Sequence, residues 1–249
     1  MRYLKALLVG AVQGATEFLP VSSSGHLILL AKLGIMSTSL FYNLSLHLAT
    51  LFATLIVMRK EVLAAIRHPL AGVGKYVCLA SLPTAIVAYL LKTLRPSLLL
   101  GELLGFGFLL SAAVLFSAEV IRRDSKGRFL DAKISLLTGF AQGIAVLPGV
   151  SRSGTTIAVL RASGVDPEEA ASFSFLLSIP VIAGGFLLEG LESGFSSAGA
   201  DAGEILVAAA AAFLLGLLAA KFTLRQVKKG LKPFIPYLLT LGILCYFLP

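Results

Sequence analysis

Apolar runs long enough to cross a membrane recur along this chain, among them "FYNLSLHLATLFATLIVM", "YVCLASLPTAIVAYLL", "GELLGFGFLLSAAVLFSAEVI" and "ILVAAAAAFLLGLLAA". A hydrocarbon core ~30 Å thick needs about 20 apolar residues in a helix. Such runs therefore dictate a bundle of membrane-crossing helices. Charge content agrees: 14% of residues are charged and 57% hydrophobic, where soluble domains carry about 25% charged residues. The expected class is an all-α integral membrane protein, with residues 1–249 forming one membrane domain.

Six spans are predicted, at roughly 41–58, 76–92, 101–121, 171–189, 203–221 and 234–248. Two further segments, about 4–30 and 134–161, are apolar but interrupted by Pro, Gly, Ser and a charge. Each reads as a re-entrant helix-loop-helix. Irregular backbone at membrane depth persists only where protein buries it or water reaches it, so both breaks should line a cavity. The two segments also repeat one another. "GAVQG" (10–14) matches "GFAQG" (139–143), "LP" at 19–20 matches 147–148, and "VSSSG" (21–25) matches "VSRSG" (150–154), all at an offset of 128 or 129 residues. The repeats divide the chain at approximately 1–121 and 122–249.

Loop charges orient these halves. The 59–75 loop holds Arg59, Lys60, Arg67 and Lys75. The 122–133 loop holds Arg122, Arg123, Lys126, Arg128 and Lys133 beside Asp124 and Asp131, and 221–232 has five basic residues and no acid. The 189–204 loop carries Glu189, Glu192, Asp201 and Glu204 without Lys or Arg. Positive loops stay cytoplasmic, so the acidic loop and both termini are expected outside, with the repeats inverted and their polar tips meeting near the midplane. Broken helices at the midplane of inverted repeats are also a plan of secondary transporters. The net charge of +8 sits in short loops, where topology and anionic lipid explain it, and nucleic acid is not expected as a partner. Cys78 and Cys245 lie in apolar segments and read as buried free thiols, and the N-terminal stretch is too polar for a cleaved signal.

The residues with chemistry cluster in the two breaks. Arg152 in "PGVSRSGTT" (148–156) is the sharpest: an Arg at the bilayer centre costs about 2.5–3.5 kcal/mol even on the lenient insertion scale, which makes it a functional-site hypothesis. The structural alternative is a buried ion pair with Glu17. Ser151, Ser153, Thr155 and Thr156 flank it, with Gly149 and Gly154 allowing amides to converge ahead of a helix start. A guanidinium fork, hydroxyls and a helix N-terminus suit a phosphate. The first break supplies Gln13, Glu17, Ser22, Ser23, Ser24 and His26. Gln13 and Glu17 share a helix face. Glu17 can hold a divalent cation, take a proton or balance Arg152; the serines are nucleophile candidates or helix caps. His47 and His68 receive structural readings, as do Asp166 (an N-cap), Gly184–Gly185 and the alanine-rich 208–220 run (close helix packing).

"QGATEFLPVSSSGH" together with "PGVSRSGTT" resembles the two signature regions of the membrane-embedded undecaprenyl-diphosphate phosphatases, the bacitracin-resistance family, over nearly the whole chain. The resemblance implies hydrolysis of a polyprenyl diphosphate to the monophosphate and inorganic phosphate at a site open to the external face of the cell membrane. It also implies help from a divalent cation (Mg2+ or Ca2+) and recycling of a lipid carrier for the cell envelope. Carried over by residue, the acidic motif falls on Gln13 and Glu17, the serine-histidine stretch on Ser22, Ser23 and His26, and the arginine motif on Ser151, Arg152, Ser153, Gly154 and Thr156. Gln13 stands where the family commonly has Glu, which removes one carboxylate. The expected roles are Ser23 as nucleophile, Glu17 as proton acceptor or cation anchor, His26 as proton-transfer or orienting group, and Arg152 with the 151–156 segment as phosphate binder. Direct attack by water with Glu17 as base is the alternative. A transporter or flippase of a phosphorylated isoprenoid using the same pocket is the rival function. Membrane lipids are the surroundings, and a homodimer is allowed.

Overall fold

Prolines and glycines set where this chain stops being helical. The computed structural model describes residues 1–36, 40–121, 129–193 and 201–247, and every regular element among them is a helix. Helix α1 (Arg2–Phe18) ends because Pro20 disfavours helical backbone at Leu19, which is extended at φ −68°, ψ 147°. Helix α2 (Ser23–Lys32) begins at Ser22, whose hydroxyl accepts the Gly25 N–H at 3.3 Å. The matching pair in the second half is α8 (Ala132–Ile144) and α9 (Arg152–Ala162). Between them stand Pro148 and Gly149, the latter at φ 87°. Ser151 caps α9 by accepting the Gly154 N–H at 3.1 Å. The two breaks thus share one capping device.

The remaining helices are α3 (Leu40–Val57), α4 (Arg59–Arg67), α5 (Gly72–Leu94), α6 (Pro96–Leu99), α7 (Leu104–Val120), α10 (Pro167–Ser193), α11 (Ala202–Gln226) and α12 (Phe234–Leu244). By length and composition, α5, α10 and α11 each suffice to cross a membrane. Joined to α4 across an 86° bend, α3 makes a fourth. The predicted 101–121 and 234–248 spans are apolar but shorter, as α7 and α12. The first loses its start to a turn through Leu103, and Leu248 lies outside the described residues. Residues 59–67, expected as loop, form the amphipathic helix α4. An all-α integral membrane protein is the architecture these helices support.

Helix contacts come in exchanged pairs: α1 packs on α11 and α8 on α5, while α3 lies against α11 and α10 against α5. The first two contacts run parallel and need glycine. A Cβ at Gly10 would overlap the Ala208 carbonyl, and one at Gly139 would overlap the Ala80 carbonyl. The alanine-rich face of α11 is therefore the close-packing surface the sequence predicts. Gly184 and Gly185 are not: among the described residues no atom lies within 4 Å of a Cβ built at either. The cysteines are free, but Cys78 is exposed on α5 and Cys245 half-buried, because the surface of this bundle is itself apolar.

Polar ties mark two opposite ends of α11. Arg2 reaches Asp201 (3.7 Å) and Glu204 (3.4 Å) near its start. Beyond its other end Lys228 pairs with Glu168 at 2.5 Å, and the buried Arg161–Glu119 pair (2.7 Å) also accepts the Leu231 N–H at 2.8 Å. Asp166 caps α10, accepting the Glu168 N–H at 2.8 Å. The loop charges Arg122, Arg123, Asp124, Lys126 and Arg128 and the side chain of Glu192 lie outside the described residues.

Candidate active site

The two breaks meet. Ser153 from the second donates its hydroxyl to the Leu19 carbonyl of the first at 3.0 Å. Ser111 on α7 anchors the second break from behind, donating to the Gly149 carbonyl (3.0 Å) and accepting the Ser151 N–H (2.8 Å). Between the breaks lies a cavity of about 260 Å³. Glu17, Ser22, Ser23 and Ser24 line it from one side of the chain and Ser151, Arg152 and Ser153 from the other. Its walls thus carry the first residues of both α2 and α9. Helix N-termini offer free amides and a positive dipole end, and two of them at one cavity favour an anion.

Glu17 is the hub. Its Oε2 accepts the Ser23 hydroxyl at 2.6 Å and the Gln13 Nε2–H at 2.9 Å, and its Oε1 accepts Nη2 of Arg152. The ion pair weighed from sequence is therefore present, and it sits on the cavity wall. Arg152 Nη1 is buried with no hydrogen-bond partner among the described residues. Buried donors are nearly always satisfied, so this orphan N–H is an open place for an acceptor. A phosphate oxygen has the charge and geometry for a guanidinium fork.

Other predicted site residues stand behind this wall. Gln13 is fully buried and reaches the cavity through its contacts with Glu17 and His47. Gly154 is spent on the Ser151 cap, and a side chain there would meet Ser151 and Pro20. Thr156 turns away to Ser174 (2.6 Å) and the Arg152 carbonyl (2.9 Å). His26 has both ring nitrogens engaged: Nδ1–H donates to the Ser22 carbonyl at 2.7 Å, so Nε2 accepts from the Tyr237 hydroxyl at 2.6 Å. Its ring stacks on Tyr237 and meets Phe108 edge-on. This braces Ser22, the one non-glycine residue with positive φ (71°) among those described. Such backbone is strained for a side-chain-bearing residue and needs an external hold.

His47, read as structural from sequence, lines the cavity instead. Its Nδ1 lies 3.1 Å from Gln13 Nε2 and 3.4 Å from Glu17 Oε2. The signal was available, since an ionisable residue inside an apolar span is itself a site hypothesis. Glu189, assigned to a loop, is on α10 and also lines the cavity. Among the described residues no three His, Cys, Asp or Glu side chains group to hold a metal, and both Glu17 oxygens are already engaged. The donor set does not make a protein-held metal centre.

The chain matches the family model of bacitracin resistance protein BacA over residues 6–244, a range that includes both breaks. It belongs to the BacA family. Similar proteins include the undecaprenyl-diphosphatase of Carboxydothermus hydrogenoformans, 40% identical over 98% of this chain and 96% of the relative. That of Korarchaeum cryptofilum is 34% identical, with 98% of each chain covered. That of Desulforapulum autotrophicum is 36% identical over 98% of this chain and 97% of its own. In this BacA-family chain Ser23 and Arg152 both hydrogen-bond to Glu17 on the wall of the cavity.

Proposed function

We propose that this protein is an undecaprenyl-diphosphate phosphatase, a membrane hydrolase that returns the lipid carrier to its monophosphate for cell-envelope synthesis. The observation that carries the reading is the 2.6 Å hydrogen bond from Ser23 to a carboxylate whose other oxygen holds Arg152. The names of the full-length relatives supply the substrate. They lend nothing to a transporter.

A diphosphate entering the cavity satisfies the orphan Nη1 of Arg152 and competes with Glu17 for Nη2, leaving Glu17 a stronger base beside Ser23. Ser23 Oγ attacks the terminal phosphorus and passes its proton to Glu17 Oε2. The bridging P–O bond breaks with its electron pair on the lipid monophosphate, which departs. Water then attacks the phosphoserine, the P–O bond to Ser23 breaks, and Glu17 returns the proton to Ser23 as inorganic phosphate forms. Arg152 and the N-terminus of α9 stabilise the charge of both transition states. His26 orients the Ser22–Ser23 turn. A divalent cation would be held mainly by the substrate phosphates, with Glu17 as its protein ligand, and would offset phosphate charge there.

The same proposal includes six spans and two re-entrant segments in one membrane domain, as inverted repeats of about 1–121 and 122–249. The exchanged helix contacts support it, since a twofold swap of halves accounts for α1 on α11 and α8 on α5. External termini and an external cavity mouth follow from the loop charges. The test is phosphate release from undecaprenyl diphosphate by purified protein in detergent, with and without divalent cation. Release is expected; folded protein that binds the lipid and liberates no phosphate refutes the function.

A further inference from the structure

Helix α10 faces the cavity with Val181, Ile182, Gly185, Phe186 and Glu189, positions i, i+1, i+4, i+5 and i+8 of one helical face. Gly184 and Gly185 interrupt the middle of this helix. Each glycine inside a helix costs about 0.5–1 kcal/mol relative to alanine, and the ordinary reasons for accepting that cost are missing. Neither residue has positive φ. Neither is approached by any described atom within 4 Å of a built Cβ, in contrast to Gly10 and Gly139. Nor does α10 break there, since it runs from Pro167 to Ser193. What the absent side chains leave is room, with Gly185 on the cavity wall and Gly184 beside it.

The cavity has two chemistries. Glu17, Ser23 and Arg152 make its polar part; Leu44, Val150, Val181, Ile182 and Phe186 make its apolar part. Just beyond Gly185, Leu187 and Leu188 are exposed on what in a membrane is a lipid-facing surface. We propose that Gly184–Gly185 is the port for the isoprenoid chain: the first methyl-branched units of the substrate lie against α10 there, while the diphosphate reaches Ser23 and Arg152. The occupant follows from continuity, because one cavity joins an anion site to an apolar wall that leads outward to lipid. The inference rests on the phosphatase reading above and adds a residue-level determinant of chain binding.

The test compares Gly185→Leu and Gly185→Ala with wild type by steady-state hydrolysis of undecaprenyl and farnesyl diphosphates in detergent. Filling the port removes binding shared by ground and transition states, so Gly185→Leu should raise KM about tenfold or more with kcat within about twofold, and Gly185→Ala should fall between. Thermal midpoints should hold, since the space is open, and Gly185→Ala keeps the test available if the larger variant misfolds. Unchanged KM, or a fall in kcat in its place, overturns the port. A shift from dimer to monomer with unchanged KM overturns it too, because the face is then covered by a second copy of the chain. Wild-type protein that releases no phosphate removes the phosphatase reading instead.

Discussion

Arg152 has two duties that substitution can separate. It neutralises Glu17, whose side chain is only 3% exposed, and it offers the fork whose second arm is unpartnered. Removing one partner of a buried pair costs about 3–5 kcal/mol because the other charge is stranded. Removing a transition-state donor costs about 100- to 1,000-fold in kcat. Arg152→Lys keeps the charge near Glu17 but loses the fork, so it should stay close to wild type in thermal midpoint and lose ~100-fold or more in kcat. Arg152→Ala should lose both activity and stability. Adding Glu17→Gln to Arg152→Ala takes away the stranded charge and should restore most of the midpoint while activity stays absent. Thermal unfolding in detergent and phosphate release on the same preparations read the two quantities. Near-wild-type kcat in Arg152→Lys, or a double variant no more stable than Arg152→Ala, would refute the reasoning.

Ser23→Ala should lower kcat on the order of a thousandfold or more if Ser23 carries the phosphoryl group; acid-quench trapping of a phosphoserine checks this, and a loss under about tenfold transfers the attack to water. Tyr237→Phe keeps the stack on His26 and deletes only the hydroxyl, worth about 0.5–1.5 kcal/mol. It should reduce kcat about three- to tenfold at unchanged KM, and an effect that persists undiminished in a His26→Gln background would disconnect Tyr237 from the Ser22 turn. Gly10→Ala and Gly139→Ala each force a Cβ into a neighbouring helix carbonyl and should destabilise by about 1–3 kcal/mol. Thermal midpoints near wild type in both would contradict the close parallel packing.

The membrane class and the two breaks were legible in the sequence, because each is local, whereas the choice of serines 22 and 151 as caps was not. A proline ends α1 at Leu19, and serines at 22 and 151 cap the helices that follow within three residues. Arg152 was legible for the same reason, since a cation among apolar residues needs no neighbours to look out of place. The internal repeat even pairs Ser23 with Arg152 and Glu17 with Val146 at an offset of 129. One half therefore supplies the hydroxyl and the carboxylate, the other the guanidinium. Tertiary structure alone decided which of these groups touch. Glu17 and Arg152 are 135 residues apart, and only the packing of both breaks brings them together. It also set His47 on the cavity wall, turned Thr156 away to Ser174, and left Gly184–Gly185 open where the sequence suggested a tight contact. A helix's sequence states which residues share a face; which helix, cavity or lipid that face meets depends on neighbours distant in the chain.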